Sequence, residues 1–304
     1  MKIIANTTDF YLDRETAVAI GKFDGVHIGH RRLLTEILEQ KQKGLAACVF
    51  TFDPTPAVLF GLSDGKELTT REEKRVLFEQ MGVDILIEFP LTKATAAISP
   101  ENFVTEVLVE KLKTRFIAAG YDLSFGCRGA GNAALLRDMG REKGFVVKIV
   151  DKIKVHGTEV GSTYIRNLVE EGKMAVAGEF LGAPYSIRGN VVHGNRIGRT
   201  LGFPTVNLLP GESKLLPPNG VYSSRVIIGE EEYRAITNIG YKPTVTQDKV
   251  LGVESYIYDF SRDIYEEEIE VRLCEFQRPE RQFNNIEELK AQLQKDICNG
   301  AQYK

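Results

Sequence analysis

The sequence has few of the residues that mark secreted, metal-binding or fibrous proteins. It contains no tryptophan and four cysteines, and Cys48, Cys127, Cys274 and Cys298 show no paired spacing. That scatter is typical of neither a disulfide framework nor a zinc site, so we expect ordinary reduced thiols. The 28 glycines and 11 prolines are too few for a fibrous or low-complexity chain.

Long apolar runs and a strong net charge are also missing. The longest apolar stretches, such as GLAACVFTF at 44–52, are about half as long as a bilayer-spanning helix. Asp9 and Asp13 interrupt the start of the chain before an apolar signal-peptide core can form, so we expect a cytoplasmic protein. A net charge of −3 gives no general attraction to a polyanion. Neither nucleic acid nor a membrane surface is therefore an expected partner.

The 304 residues exceed what one hydrophobic core usually organises, and the sequence pattern changes near Ala183. We therefore predict two domains, 1–182 and 183–304. In the first, β-rich runs alternate with amphipathic helical patterns, which predicts an α/β fold with a parallel sheet. The predicted strands are AVAIG, AACVFTF, VDILIEF, RFIAAG and FVVKIV. One predicted helix begins near His30, and four more are predicted at 71–81, 100–113, 133–142 and 163–181.

The second predicted domain has six β-rich segments without long helices between them. This pattern predicts an antiparallel six-stranded barrel or sandwich. Leu289, Leu293 and Ile297 share one face of a predicted closing helix from Ile286 to Cys298. The six segments are SIRGNVVHG, FPTVNLLP, GVYSSRVIIG, YRAITNIG, GVESYIYDF and EIEVRLCEF.

A glycine-bearing turn, GKFDGVHIGH at 21–30, joins the first predicted strand to the first predicted helix. Such a turn lets phosphates approach the backbone and places them at the positive end of a helix. His27 and His30 lie one turn apart, and as donors they could stabilise charge that develops during phosphoryl or nucleotidyl transfer. A lone histidine at a helix start is usually only a cap. Two of the chain's four histidines in this setting favour the functional interpretation.

A second dense cluster, GNRIGRTLGFPTVN at 194–207, mixes glycines with arginines. No GK[ST] sequence occurs in the chain, so a P-loop is excluded. Gly194, Gly198 and Gly202 recur at intervals of four and predict a flap that closes over phosphates. Thr205 and Asn207 are two apart on a predicted strand and point the same way. Their oxygens could bind Mg²⁺.

The first domain resembles a known enzyme family. HIGH after a strand resembles the signature of the HxGH nucleotidyltransferases, and GKFDGVHIGH resembles the flavin adenylyltransferase module of the prokaryotic bifunctional riboflavin kinase/FAD synthetases. TFDPTP at 51–56, AGYDLSFG at 119–126 and GSTYIR at 161–166 resemble further motifs of that module, in order. The resemblance implies a Rossmann-like nucleotidyltransferase domain.

Site residues follow from the same resemblance, position by position. It implies catalytic roles at the ATP phosphates for His27, His30 and Arg166, and phosphate contacts for Ser162 and Thr163. It places Asp122 and Phe125 beside the flavin. The turn residues implied to contact substrate are Gly21, Phe23, Asp24, Gly25 and Gly29.

The second domain resembles the riboflavin kinase of the same family, whose PTAN motif is PTVN in this chain. PPNGVY, NIGYKPT, VESYIYDF and RPERQF resemble later blocks in order, which implies a barrel. By this resemblance Thr205 and Asn207 hold Mg²⁺, and Glu254 is the general base on the ribityl hydroxyl. Arg278 lines the flavin or phosphate site. From the residues alone, Glu254 and Arg278 could equally be solvated surface groups.

The family resemblance implies two ATP-dependent steps, in which riboflavin is phosphorylated to FMN and FMN is adenylylated to FAD with release of pyrophosphate. Flavins are then substrates and products, and the oligomeric state stays open. Three departures from the family pattern bear on the adenylyltransferase: Thr55 in place of histidine, Gly161 in place of serine, and Ser124 in place of a basic residue. They keep open one alternative, a monofunctional riboflavin kinase with a degenerate first domain. A separate alternative is a flavin-binding regulator, which HIGH and PTVN disfavour because sensing needs no phosphate-transfer groups.

Overall fold

The computed structural model describes residues 1–194, 202–242 and 250–301. The chain divides into two compact units, Met1–Gly161 and Ser162–Lys304. Residues 162–181 group with the second unit in this division. The domain boundary at 182 stays a prediction.

The first unit contains a six-stranded sheet whose neighbouring strands are all parallel, which confirms the predicted α/β architecture. The strand order is β1-β4-β3-β2-β5-β6. The edge strand β1 was not predicted, because KIIA is only four residues long. The strands are β1 (Lys2–Ala5), β2 (Thr16–Ile20), β3 (Ala46–Asp53), β4 (Ile85–Pro90), β5 (Thr114–Gly120) and β6 (Val146–Val150).

Helices connect these strands. The predicted helix at 100–113 is present, but most of it is a π-helix over Phe103–Lys111 that continues α4. A small hairpin of β7 (Lys154–Val155) and β8 (Thr158–Glu159) follows the sheet. The helices are α1 (Ile28–Glu39), α2 (Pro56–Leu59), α3 (Arg71–Gln80), α4 (Pro100–Asn102) and α5 (Ala133–Lys143).

Strand β2 shows why α1 lies close to the sheet. Its residues alternate between two core clusters, with Val18 and Ile20 on one face and Ala17 and Ala19 on the other. The two alanines face the cluster that holds Leu34 of α1, and their small side chains allow a close approach. The helix and the turn before it are therefore held directly against the central strand.

The order of the strands also locates a crevice. After β2 the chain moves to β3 on one side, and it returns later to β5 on the other side of β2. In open parallel sheets ligands bind at such a reversal, outside the carboxyl ends of the strands. The turn that begins at Gly21 lies at this point.

The second unit begins with two helices, α6 (Ser162–Glu170) and α7 (Met174–Leu181). The sequence predicted one continuous helix over 163–181, which was wrong. Gly172 has a φ of +73°. A residue in this left-handed region cannot continue a helix, and glycine adopts it without strain.

Six strands close into an antiparallel barrel in the order β10-β13-β12-β11-β14-β9. The structure thus confirms the barrel over the sandwich, and α8 (Ile286–Gly300) confirms the closing helix. The strands are β9 (Tyr185–Val192), β10 (Val206–Leu208), β11 (Gly220–Ile228), β12 (Glu231–Lys242), β13 (Val250–Ile257) and β14 (Glu268–Pro279).

A chain of buried hydroxyls crosses one side of the barrel. Thr237 Oγ1 lies 2.7 Å from Ser224 Oγ and 2.8 Å from Ser255 Oγ. These hydrogen bonds satisfy polar groups that have no access to water. Because successive strand residues point to opposite faces, Glu254, next to Ser255, lies on the outer face. Across the part of the chain that the structure describes, no helix is long and apolar enough to cross a membrane.

Candidate active sites

The turn after β2 has an unusual backbone. Phe23 and Val26 have positive φ values of 54° and 40° although neither is glycine, and both side chains are fully buried. Non-glycine residues adopt this region only where the surrounding structure holds them there, and such residues cluster at functional sites. Between them, Gly25 has a φ of 86°. The turn is thus fixed by its packing, and it delivers His27 to the start of α1.

His27 is the N-cap of α1. Its Nδ1 accepts a hydrogen bond from the backbone N–H of His30 at 3.2 Å. A neutral imidazole that accepts at Nδ1 carries its proton on Nε2. The cap and the phosphate donor, which the sequence offered as alternatives, are therefore compatible in one side chain.

The two imidazoles are stacked, with ring centroids 3.6 Å apart and an interplanar angle of 13°. A Cβ at Gly29 would lie 3.2 Å from the His27 ring, so a glycine at this position suits the stack. Burial lowers the pKa of His27 to about 4. Burial, followed by the charges of His27 and Lys74, lowers the pKa of His30 as well. Near neutral pH both rings are uncharged donors rather than cations.

Asp24 ties this turn to the segment before α3. Its Oδ1 accepts hydrogen bonds from the backbone N–H groups of Leu68 at 2.7 Å and Thr69 at 3.4 Å. Immediately after them, Thr70 and Glu73 form a reciprocal capping box that starts α3. The contact of Asp24 with substrate stays a prediction, and in this structure one of its oxygens holds the backbone.

The loop after β5 lies beside the histidine turn, because β5 pairs with β2. Asp122 is largely exposed, and its charge acts on His27. Phe125 is 3% exposed and packs against Phe103, with ring centroids 5.7 Å apart. The loop therefore brings Asp122 to the crevice, whereas it buries Phe125 in the core. Their contacts with a flavin stay predictions.

Other predicted residues of this half have varied surroundings. Gly21 lies against Phe23, whose ring a Cβ would meet at 3.2 Å. Ser162 is the first residue of α6 in the second unit, and Thr163 and Arg166 follow within its first turns. Gly161 has open space around the position of a Cβ.

On the barrel, Thr205 and Asn207 meet Glu254, which lies far from them in the chain. Thr205 Oγ1 donates a 2.5 Å hydrogen bond to Oε1 of Glu254. Asn207 of β10 is the direct register partner of Glu254 on β13, and it is 7% exposed. The structure thus brings together all three residues that the sequence assigned to metal binding and proton transfer. The donors are oxygens of a hydroxyl, an amide and a carboxylate, the types that Mg²⁺ prefers.

The predicted glycine flap meets this site at its first residue. A Cβ at Gly194 would overlap the side-chain amide of Asn207, so only glycine fits without a shift. Gly202 has a φ of +87°, which again favours glycine. Gly198 lies outside the described residues.

Arg278 binds the closing helix. Its Nε and Nη2 donate to the two carboxylate oxygens of Asp296 in α8 at 2.9 and 2.6 Å. Its Nη1 also donates to the carbonyl of Pro279 at 3.0 Å. Such a forked ion pair fixes the relative orientation of the guanidinium and the carboxylate in addition to neutralising their charges. The predicted contact of Arg278 with flavin or phosphate stays a prediction, while the structure shows a group that holds α8 to the barrel.

Sequence reasoning missed two residues near these sites. Asn238 of β12 is the second register partner of Glu254, and its amide donates to Glu280 at 3.4 Å. Lys74 is buried beside the histidine pair. The i, i+4 spacing of Lys74 and Phe78 was the available signal, because it places both on one face of α3.

Comparison with known proteins finds a matching family for each of the two domains. A family model described as FAD synthetase matches residues 10–164, and one described as riboflavin kinase matches residues 181–303. The chain is 39% identical over 293 residues to the bifunctional riboflavin kinase/FMN adenylyltransferase of Listeria monocytogenes, covering 95% of this chain and 93% of that protein. The Bacillus subtilis protein of the same name is 33% identical over 313 residues, covering 100% and 98%.

A solved structure extends the similarity to the fold. The crystal structure named as a macrolide-efflux protein from Streptococcus pneumoniae is 28% identical, with a TM-score of 0.87 and 99% of each chain covered. The two family models match successive parts of this chain, and the similarity to these relatives extends over 95% and 100% of it. The chain therefore belongs to the family of bifunctional riboflavin kinase/FMN adenylyltransferases.

Proposed function

We propose that this chain carries out two successive ATP-dependent reactions. The barrel phosphorylates riboflavin to FMN, and the α/β unit joins FMN to AMP to give FAD and pyrophosphate. The observation that carries this proposal is that each unit assembles its own set of phosphate-transfer groups. One set is the stacked pair His27 and His30 at the strand reversal. The other is the cluster of Thr205, Asn207 and Glu254 on the barrel.

In the kinase step, Glu254 is the proposed general base. Its carboxylate accepts the proton of the ribityl hydroxyl as that oxygen attacks the γ-phosphorus of ATP. Thr205 donates its hydroxyl hydrogen to Glu254, which orients the carboxylate and leaves the lone pairs of Oγ1 for another partner. Thr205 and Asn207 would hold Mg²⁺, which when bound neutralises charge on the ATP phosphates. The family supports ATP use, and the oxygen donors support the metal.

In the adenylylation step, a phosphate oxygen of FMN attacks the α-phosphorus of a second ATP, and pyrophosphate leaves. No covalent enzyme intermediate is required. His27 donates through Nε2 to phosphate oxygens, and His30 acts beside it. These donors need no proton from the solvent near neutral pH, because the low pKa of His27 keeps its ring uncharged.

The remaining proposed contacts surround these groups. Ser162 and Thr163 offer hydroxyls at the start of α6, and Arg166 offers a charge-assisted contact to phosphate. Asp122 is proposed to contact the flavin. For Phe125 and Arg278 we propose supporting roles, in which one packs beneath the flavin loop and the other holds α8. The glycines proposed to let phosphates approach the backbone are Gly21, Gly25, Gly29, Gly194, Gly198 and Gly202.

We place both reactions in the cytoplasm, as the sequence predicts. All four cysteines are free thiols in the structure, as in a reducing compartment. The proposed partners are the small molecules riboflavin, FMN and ATP.

The test is to incubate the purified chain with riboflavin, ATP and Mg²⁺ and to follow flavins by chromatography. We expect FMN to appear first and FAD to follow with an equivalent of pyrophosphate. A second reaction started from FMN isolates the adenylylation step. FMN that accumulates without FAD would support the monofunctional kinase instead. Tight flavin binding without turnover would favour the regulator.

A further inference from the structure

A buried lysine lies behind the histidine pair. Lys74 is 7% exposed, and its Nζ donates to Oε1 of Glu67 at 2.8 Å. On the same face of α3, Phe78 packs edge-on against Phe23 with ring centroids 5.5 Å apart. The Phe23 ring in turn lies 5.1 Å from that of His30. This face of α3 therefore supports the His30 ring and carries one buried positive charge.

The His30 ring is suited to the uncharged form. Its Nδ1 is buried and has no hydrogen-bond partner among the described residues, so a proton there would be a buried donor without an acceptor. The His27 ring is only 3.6 Å away, so a charge on one imidazole disfavours a charge on the other. With its single proton on Nε2, His30 keeps a donor for a phosphate oxygen.

ATP opposes this uncharged state. Its phosphates carry several negative charges, and a nearby anion favours the protonated form of an imidazole. A fixed cation behind the ring counters that effect, and Lys74 provides one. In the described part of the chain, the charge of Asp122 acts on His27, and the charges of His27 and Lys74 act on His30. Lys74 pairs with Glu67, and Asp24 and Asp53 act in turn on Glu67.

We propose that Lys74 is a positioning residue of the adenylyltransferase site. Its buried ammonium group opposes the negative charge of bound ATP, so that His30 stays uncharged and donates through Nε2. The inference rests on the proposed adenylyltransferase function. It adds to the site a residue whose proposed effect is electrostatic.

The experiment follows the protonation of His30 directly. The chain has only four histidines, so isotope-labelled imidazole signals can be assigned by single substitutions. We compare Lys74→Met, which keeps an apolar stem without charge, with Lys74→Arg, which keeps the charge. The full chain is titrated by NMR with ATP bound and flavin absent. We expect the His30 midpoint to rise in Lys74→Met by roughly half a pH unit or more. Lys74→Arg should titrate like the wild type.

Activity gives a second readout. The rate of FAD formation from FMN should fall several-fold more at pH 6 than at pH 8 in Lys74→Met. Riboflavin kinase activity in the same chain should be unchanged at both pH values. If the substitution only disturbed the structure of the site, FAD formation would fall by the same factor at pH 6 and at pH 8.

Glu67→Gln provides the matched control, because it removes the counter-charge and keeps Lys74. We expect it to shift the His30 midpoint downward, opposite to Lys74→Met. It decides the question even if the Met variant does not fold. An unchanged midpoint in Lys74→Met, or an upward shift in Glu67→Gln, overturns the proposal. A wild-type chain that makes no FAD would instead overturn the proposed function, since the titration needs only bound ATP.

Discussion

The two proposed phosphate sites differ in the electrical character of their groups. In the α/β unit, burial keeps the stacked imidazoles of His27 and His30 uncharged, and they act as donors. On the barrel, the carboxylate of Glu254 accepts from Thr205, and the side-chain oxygens of Thr205 and Asn207 are the proposed ligands of Mg²⁺. A set of acceptors repels phosphate unless a cation lies between them, whereas a set of donors binds phosphate directly. The comparison indicates that the protein groups of the barrel site depend on Mg²⁺ more than those of the imidazole site.

The sites also differ in how the fold builds them. The imidazole pair is local, because His27 and His30 both lie at the start of α1. The barrel site is assembled from β10 and β13, whose paired residues are almost fifty positions apart in the chain. Substitutions of His27 and of Glu254 should therefore separate the two activities.

The largest expected effect is on the barrel. Glu254→Gln removes the proposed base and should lower riboflavin phosphorylation by roughly 10²–10⁴-fold. FAD formation from supplied FMN should be unchanged, because the imidazoles of His27 and His30 lie in the other unit. Steady-state assays of both reactions on one preparation measure this, with the exposed Glu275→Gln as the control. A parallel loss of both activities would contradict the separation of the sites.

Next in size is the imidazole site. His27→Ala removes a donor and should lower FAD formation from FMN by about 10²–10³-fold, with the kinase unaffected. It also removes the cap of α1, which costs about 1 kcal/mol of stability. His27→Asn keeps a cap acceptor, so thermal melting should recover while the activity stays low. Activity that recovers together with stability would show that His27 is only a cap.

A smaller effect is expected at Gly194. A Cβ in Gly194→Ala overlaps the Asn207 amide and should displace this proposed metal ligand, lowering kinase activity by roughly 10–100-fold. Gly161→Ala is the matched control, because open space surrounds it. Raising the Mg²⁺ concentration should restore part of the lost rate. A Gly194→Ala enzyme with wild-type kinetics would argue against Asn207 as a ligand.

The smallest effect concerns stability against pH. The pKa of His27 is lowered from 6.5 to about 4, so the unfolded chain binds more protons than the folded one between these values. The contribution of His27 to the free energy of unfolding is then fully present above pH 6.5. It is lost as the pH falls toward 4, and the loss is at most about 3 kcal/mol. Thermal melting between pH 7 and pH 5 should show this slope, and His27→Asn should reduce it. An equal slope in the variant would assign it to other groups.

Much of the fold could be predicted because its signals are local. The alternation of strands and helices, the change of pattern near residue 183 and the final helix are all visible as periodicity and turn residues. The single helix predicted over 163–181 failed at Gly172, because apolar spacing continues across a break that only the backbone conformation reveals. The edge strand β1 is too short to give a signal.

The sites were predictable to a lesser degree. The motifs placed His27 at the turn into α1 and Asn207 on a strand, since such positions follow from the sequence pattern, whereas Thr205 lies one residue before β10. The pairing of Arg278 with Asp296 could not be anticipated, because an arginine before a proline looks solvated until α8 is placed beside it. Lys74 was missed for the same reason, as burial of a charge depends on residues from other elements.

The amino-acid sequence by itself determined the class of both domains, the order of the motifs and the chemical types available at each site. The tertiary structure decided which nitrogen of His27 carries the proton, which acceptor Thr205 meets, and whether Lys74 and Arg278 face water or a partner. The physical reason is that secondary structure follows from neighbours in the chain. Protonation and hydrogen bonding instead depend on burial and on charges brought close by folding.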